Sequence, residues 1–82
     1  MIKAYSVYIT TASVEEARRI GATLVEERLT ACVNIVPGME SLYWWEGAMQ
    51  QSQETILLAK TNETRLAALI ERASEIHSYD CP

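Results

Sequence analysis

No apolar run in this sequence is longer than a handful of residues, whereas a membrane-spanning helix needs ~20. A charged leader, a long apolar core and a small-residue cleavage site are all missing after Met1. Ile2-Lys3-Ala4-Tyr5 goes straight into a strand-like pattern, so the expected compartment is the cytoplasm and no membrane partner is expected. There is no basic stripe either. The seven Lys and Arg are scattered, and their only adjacent pair, Arg18-Arg19, follows Glu15-Glu16. With a net charge of -4 and a pI near 4.8, nucleic acid is not an expected partner. Histidine occurs once and no CxxC is present. The two cysteines, Cys32 and Cys81, stand far apart in a chain without a leader, so two thiols are expected rather than a disulfide. At 82 residues there is room for one domain, spanning 1–82, and none for a linker or a repeat. A composition of 49% hydrophobic and 22% charged residues excludes disordered, collagen-like and low-complexity chains.

What is present reads as alternating strands and helices. Residues 2–10 are rich in β-branched and aromatic types and form the first strand, with Lys3, Tyr5, Val7 and Ile9 on one face. Ser13-Val-Glu-Glu16 is a capping box opening a helix to about Leu29, with Ala17, Ile20, Gly21, Leu24 and Val25 on its apolar stripe. Glu15 and Arg19 stand at i,i+4 in the favourable order. The second strand runs over residues 31–36. Pro37-Gly38 then breaks the pattern, as a bulge or bend on an edge strand does. Extended character resumes at Met39 and lasts through Trp45. Glu46-Gly47 reverses the chain with the glycine at positive φ. The return strand is polar from Gln50 to Gln53 and apolar from Thr55 to Ala59. Asn62 caps a second helix with Leu66, Leu69, Ile70, Ala73 and Ile76 as its buried stripe. Residues 78–82 are expected to be extended, with nothing to pair against.

The order β-α-β-β-α lacks one strand of the split-βαβ pattern. The expected fold class is therefore α+β: a ferredoxin-like βαββα(β) sandwich, an antiparallel sheet with two helices on one face and the last strand missing. On that expectation the chain is a domain incomplete at its C-terminus, with the open side of the first strand awaiting a fourth.

Thr30-Ala-Cys-Val-Asn-Ile-Val-Pro-Gly38, Ser41-Leu-Tyr-Trp-Trp-Glu-Gly47 and His77-Ser-Tyr-Asp-Cys-Pro82, in this order and spacing, resemble the CutA divalent-cation-tolerance family. The resemblance covers the chain from the first strand onward. Members of that family run longer, ending in a further strand and a short helix. The resemblance implies a ferredoxin-like protomer in a tight homotrimer, akin in shape to PII signalling proteins, and a link to copper and other divalent metals. In some relatives the proposed copper ligands are a Cys in the first strand and two adjacent His at the end of the second helix. Those positions hold Ile9, Ile76 and His77 here, so only His77 matches.

Several residues can carry chemistry. His77, with Asp80 and Cys81 close behind, can be drawn as a soft-ligand cluster for Cu2+ or another divalent cation. One His and one Cys fill half of a tetrahedral site. The alternative is a histidine at a helix C-terminus interacting with its dipole. Cys32, beside Val33 and Ile35, is expected as a small core residue, since a nucleophile would need a base in reach. Residues 10–13 place hydroxyls and N–H groups at a helix start, but Ser13 is accounted for by capping and the glycines of a phosphate loop are missing. Tyr43-Trp44-Trp45 puts both tryptophans near a hairpin tip. They are expected at a subunit interface, with an aromatic wall for a small ligand as the alternative. Glu40, Glu46 and Glu54 flank that hairpin and can offer hard oxygen ligands or serve as solvated rim charge.

These features define the competing functions. A homotrimeric protein linked to divalent-cation tolerance, with weak copper binding, follows from the resemblance. A PII-like regulatory module taking a small metabolite at subunit clefts follows from the architecture and the aromatic hairpin. An enzyme is not expected, because no base–nucleophile pair and no Arg-bearing phosphate loop follows the first strand.

Overall fold

A computed structural model describes residues 3–77. Five elements follow one another: β1 (Ala4–Thr11), α1 (Val14–Glu26), β2 (Cys32–Trp45), β3 (Ala48–Asn62) and α2 (Glu63–Ile76). The strands form one antiparallel sheet in the order β1-β3-β2. This is the α+β, split-βαβ arrangement expected from the sequence. Among the described residues β1 pairs on one side only, with β3 from Ala4↔Asn62 to Thr11↔Thr55. Residues 78–82, including Asp80 and Cys81, and the first residue of the expected strand, Ile2, lie outside the described residues.

Both helices start where side-chain caps satisfy their first N–H groups. Ser13 Oγ accepts from Glu16 N at 3.1 Å, and Glu16 Oε1 reaches back past the cap residue to accept from Ala12 N at 2.9 Å. Asn62 Oδ1 accepts from Arg65 N at 3.0 Å. The helices cover one face of the sheet. Ile9, Ala17, Ile20, Leu24, Leu57, Ala59, Leu69 and Ala73 form the buried core there, with Val7, Val33, Ile35 and Ile76 packed against it. Burying these side chains supplies the main favourable term in folding.

Four details depart from the sequence expectation. Helix α1 ends at Glu26, because Arg28 adopts φ 60° and turns the chain. Leu29 N then bonds Leu24 O, and Arg28 N bonds Val25 O, which is a Schellman closure. Val25 and Ile70 are 41% and 48% exposed, since each sits at the edge of its helix stripe and the three-stranded sheet is too narrow to cover both edges. Cys32 is exposed, not part of the core. Val33 and Ile35 take the helix-facing side of β2, and side-chain alternation sends Cys32 to the other face. Arg19 lies 3.7 Å from Glu16 and donates to Ile76 O, and no ion pair with Glu15 forms.

The long hairpin has two parts. Near the helices, β3 is flanked by both other strands. Beyond the register shift between Val36 and Met39, at Pro37-Gly38, β2 and β3 pair only with each other, from Met39↔Glu54 to Trp45↔Ala48. The distal half of β2 thus runs on past the end of β1 while remaining paired with β3, and at its start Tyr8 Oη of β1 donates to Met39 Sδ at 2.9 Å. Glu46 (φ 51°) and Gly47 (φ 79°) make the reversal with both central residues at positive φ, the type I′ signature. The ribbon gives a molecule measuring 45 × 25 × 20 Å.

Candidate functional site

His77 stands at the C-cap of α2, and its ring is 8% exposed. Its Nε2 lies 2.5 Å from the carbonyl oxygen of Thr10. A carbonyl only accepts, so this nitrogen carries the proton and is not a metal ligand while the bond persists. The bond ties the end of α2 to β1. Cys81 and Asp80, the other members of the expected cluster, lie outside the described residues. The two further positions implied by the family resemblance are apolar: Ile9 is in the core and Ile76 packs against it.

The hairpin carboxylates do not converge. Glu40 faces Gln53 across the ribbon and accepts from Gln51 Nε2 at 3.5 Å. Glu54 pairs with Met39 on the other face and accepts from Ser52 Oγ at 3.4 Å. Glu46 is in the terminal turn. Among the described residues no group of three or more His, Cys, Asp or Glu could hold a metal ion. The loop before α1 is closed by its own side chains. Glu16 occupies Ala12 N, and the buried Thr11 hydroxyl lies 2.8 Å from Thr55 O and 3.2 Å from Ser13 O. Capping and strand anchoring account for residues 11–13.

The far end of the ribbon exposes large apolar side chains. Leu42, Trp44 and Met49 share one face at 64%, 75% and 66% exposure, while Tyr43 and Trp45 project on the other. Among the described residues no element covers the sheet face away from the helices, where Tyr8 and Val36 are exposed and Ile56 and Leu58 half-buried between them.

A cavity of about 670 Å³ opens at the other end of the domain, between the close of α1, the connection from α1 to β2 and the junction of β3 with α2. Arg28, Lys60 and Arg65 line it, facing one carboxylate, Glu26. The basic residues scattered in sequence are therefore partly gathered by the fold, three of the seven at this one cavity. Sequence spacing gives no sign of this, because the three lie on different elements.

An α+β chain with a split-βαβ sheet and a projecting aromatic ribbon belongs to the ferredoxin-like class. The family model for the CutA1 divalent ion tolerance protein matches residues 5–82, and the chain belongs to that family. It is 50% identical over 76 residues to the divalent-cation tolerance protein CutA of Thermus thermophilus, covering 93% of this chain and 74% of that protein. It is 47% identical over 76 residues to the chloroplastic protein CutA 1 of Oryza sativa subsp. japonica, covering 93% of this chain but only 43% of that protein. The chain thus spans less than half the length of the rice relative. The crystal structure of CutA1 from Ehrlichia chaffeensis superposes with a TM-score of 0.95 at 33% identity, over 100% of this chain and 77% of that one.

Proposed function

We propose that this chain is the protomer of a cytoplasmic homotrimer linked to divalent-cation tolerance, which binds copper weakly through His77 and Cys81. The observation that carries the assembly is the ribbon. A two-stranded hairpin is at best marginally stable alone in water, yet this one holds both tryptophans 75% and 63% exposed at its end. A second apolar surface, the bare sheet face, offers ground for the neighbouring subunit. Identical subunits that exchange such contacts around an axis close a ring, whereas an open head-to-tail contact gives filaments. The count of three follows the family resemblance.

Family membership supports the link to divalent cations. Weakness of binding follows from the ligands, since the described residues offer one imidazole whose Nε2 is engaged with Thr10. With so few donors, affinity for Cu2+ is expected on the order of micromolar or poorer. Calorimetric titration with Cu2+ and Zn2+, together with light scattering, tests both halves. A monomer at micromolar concentration overturns the assembly, and no heat of binding overturns the metal.

A second reading is a regulatory module that takes a small metabolite in clefts between subunits. It is favoured by Tyr43 and Trp45, which present an aromatic face at 44% and 63% exposure. Thermal-shift screening against a metabolite panel distinguishes the two readings.

A further inference from the structure

We propose that the cavity between α1, the α1–β2 connection and the β3–α2 junction binds a small polyanion, a molecule with two or more clustered phosphate or carboxylate charges. Arg28, Lys60 and Arg65 would be its ligands. The inference uses one protomer's residues only, so its failure leaves the metal and trimer reading untouched.

Charge is the first argument. In a protein of net charge -4, three of seven cations line one cavity, and among the described residues Glu26 is the one acid in its walls. Arg19 and Arg72, by contrast, are matched to carboxylates. No ion pair among the described residues engages Arg28, Lys60 or Arg65. Three like charges gathered around a single carboxylate repel one another, and a multivalent anion relieves that repulsion while gaining forked guanidinium contacts.

The backbone at Arg28 is the second. It is the residue after the C-cap of α1, at φ 60°, in a Schellman closure. Glycine is the usual occupant there because it takes the left-handed conformation without the steric cost other residues bear. An arginine at this point is less favourable for the helix end than glycine, and Arg28 is one of the residues lining the cavity. Stability alone does not select that residue. The apolar part of the wall, Val25 and Ala31, would meet the uncharged portion of the ligand.

The test is calorimetric titration of the full chain at low ionic strength with pyrophosphate and with citrate, one arm for each source of charge. Saturable binding in either arm, weakening as salt is raised, is expected, and the tighter arm identifies the charge source. Arg28→Gly separates ligand binding from fold: it should leave the melting temperature equal or higher while weakening binding at least tenfold. Lys60→Gln and Arg65→Gln should weaken binding similarly. Arg18→Gln, which removes the same charge from an exposed α1 position away from the cavity, should not. Absence of saturable binding to both probes overturns the proposal. So does unchanged binding in Arg28→Gly, or equal weakening in Arg18→Gln.

Discussion

Trp44 stands directly opposite Met49 across the distal ribbon, and the two are 75% and 66% exposed. Leu42 lies on the same face, so three large apolar side chains occupy one side of two strands that pair only with each other among the described residues. Aromatic side chains can bury ~150–250 Å² each, which makes this face costly to leave in water.

Replacing Trp44 by Asp should therefore act on assembly before it acts on the protomer. Light scattering of the unmodified chain is expected near three times the 9.2 kDa protomer mass. The variant should fall to a single protomer, or lose its cooperative melting if the protomer does not persist alone. An unchanged mass would remove the ribbon from the interface.

The contact between His77 and Thr10 separates two roles that one substitution would confuse. His77→Ala removes both the imidazole and the bond that ties α2 to β1, so it should lower stability by about 1 kcal/mol or more as well as weaken Cu2+ binding. His77→Gln retains an amide donor able to reach the Thr10 carbonyl. It should restore most of the melting temperature while binding Cu2+ as poorly as the alanine variant. If His77→Gln binds copper as the unmodified chain does, the ring is not a ligand.

Thr11 is fully buried, and its hydroxyl reaches Thr55 O at 2.8 Å, the residue it faces in the β1–β3 register. Thr11→Val keeps the shape and removes the donor, so the Thr55 carbonyl loses this partner. A cost of ~1–2 kcal/mol is expected. For a domain of this size each ~1 kcal/mol lowers the melting temperature by about 4–8 °C. Thr11→Ser retains the hydroxyl and should lose less than Thr11→Val. The reverse order would show that the methyl matters more than the hydrogen bond.

Local chemistry was readable in the chain wherever a residue type has one strong structural reason. Ser13 with Glu16, Asn62, Pro37-Gly38 and Glu46-Gly47 each mark the cap, bulge or turn they occupy. The end of α1 was not readable because Arg28 takes a conformation normally signalled by glycine, and the apolar period continues past it to Leu29. Cys32 was misplaced for a different reason. It sits among apolar residues in sequence, but burial in a one-sided sheet alternates, so composition alone does not give its face. The cationic cavity was hidden because residues 28, 60 and 65 meet only through tertiary packing. The metal reading rests on His77 and Cys81, of which only the first is among the described residues.

At Gly21, α1 is packed tightly against the sheet. A Cβ built at this buried position would lie 3.1 Å from Val33 Cγ2 and 3.3 Å from Leu57 Cδ1. Leu57 is fully buried, so it has little room to retreat. A helix interior disfavours glycine by about 1 kcal/mol relative to alanine. Close packing therefore accounts for glycine at a site where helix propensity argues against it. Two effects oppose each other in Gly21→Ala, and the variant should remain within ~1 kcal/mol of the unmodified chain because Val33 is only half-buried and can shift. In Gly21→Val the two γ-methyls leave no such accommodation, and overpacking should destabilise by about 1–3 kcal/mol. Chemical denaturation of the two variants measures this directly. A valine variant as stable as the alanine variant would show that α1 can lift from β2 and β3 without cost.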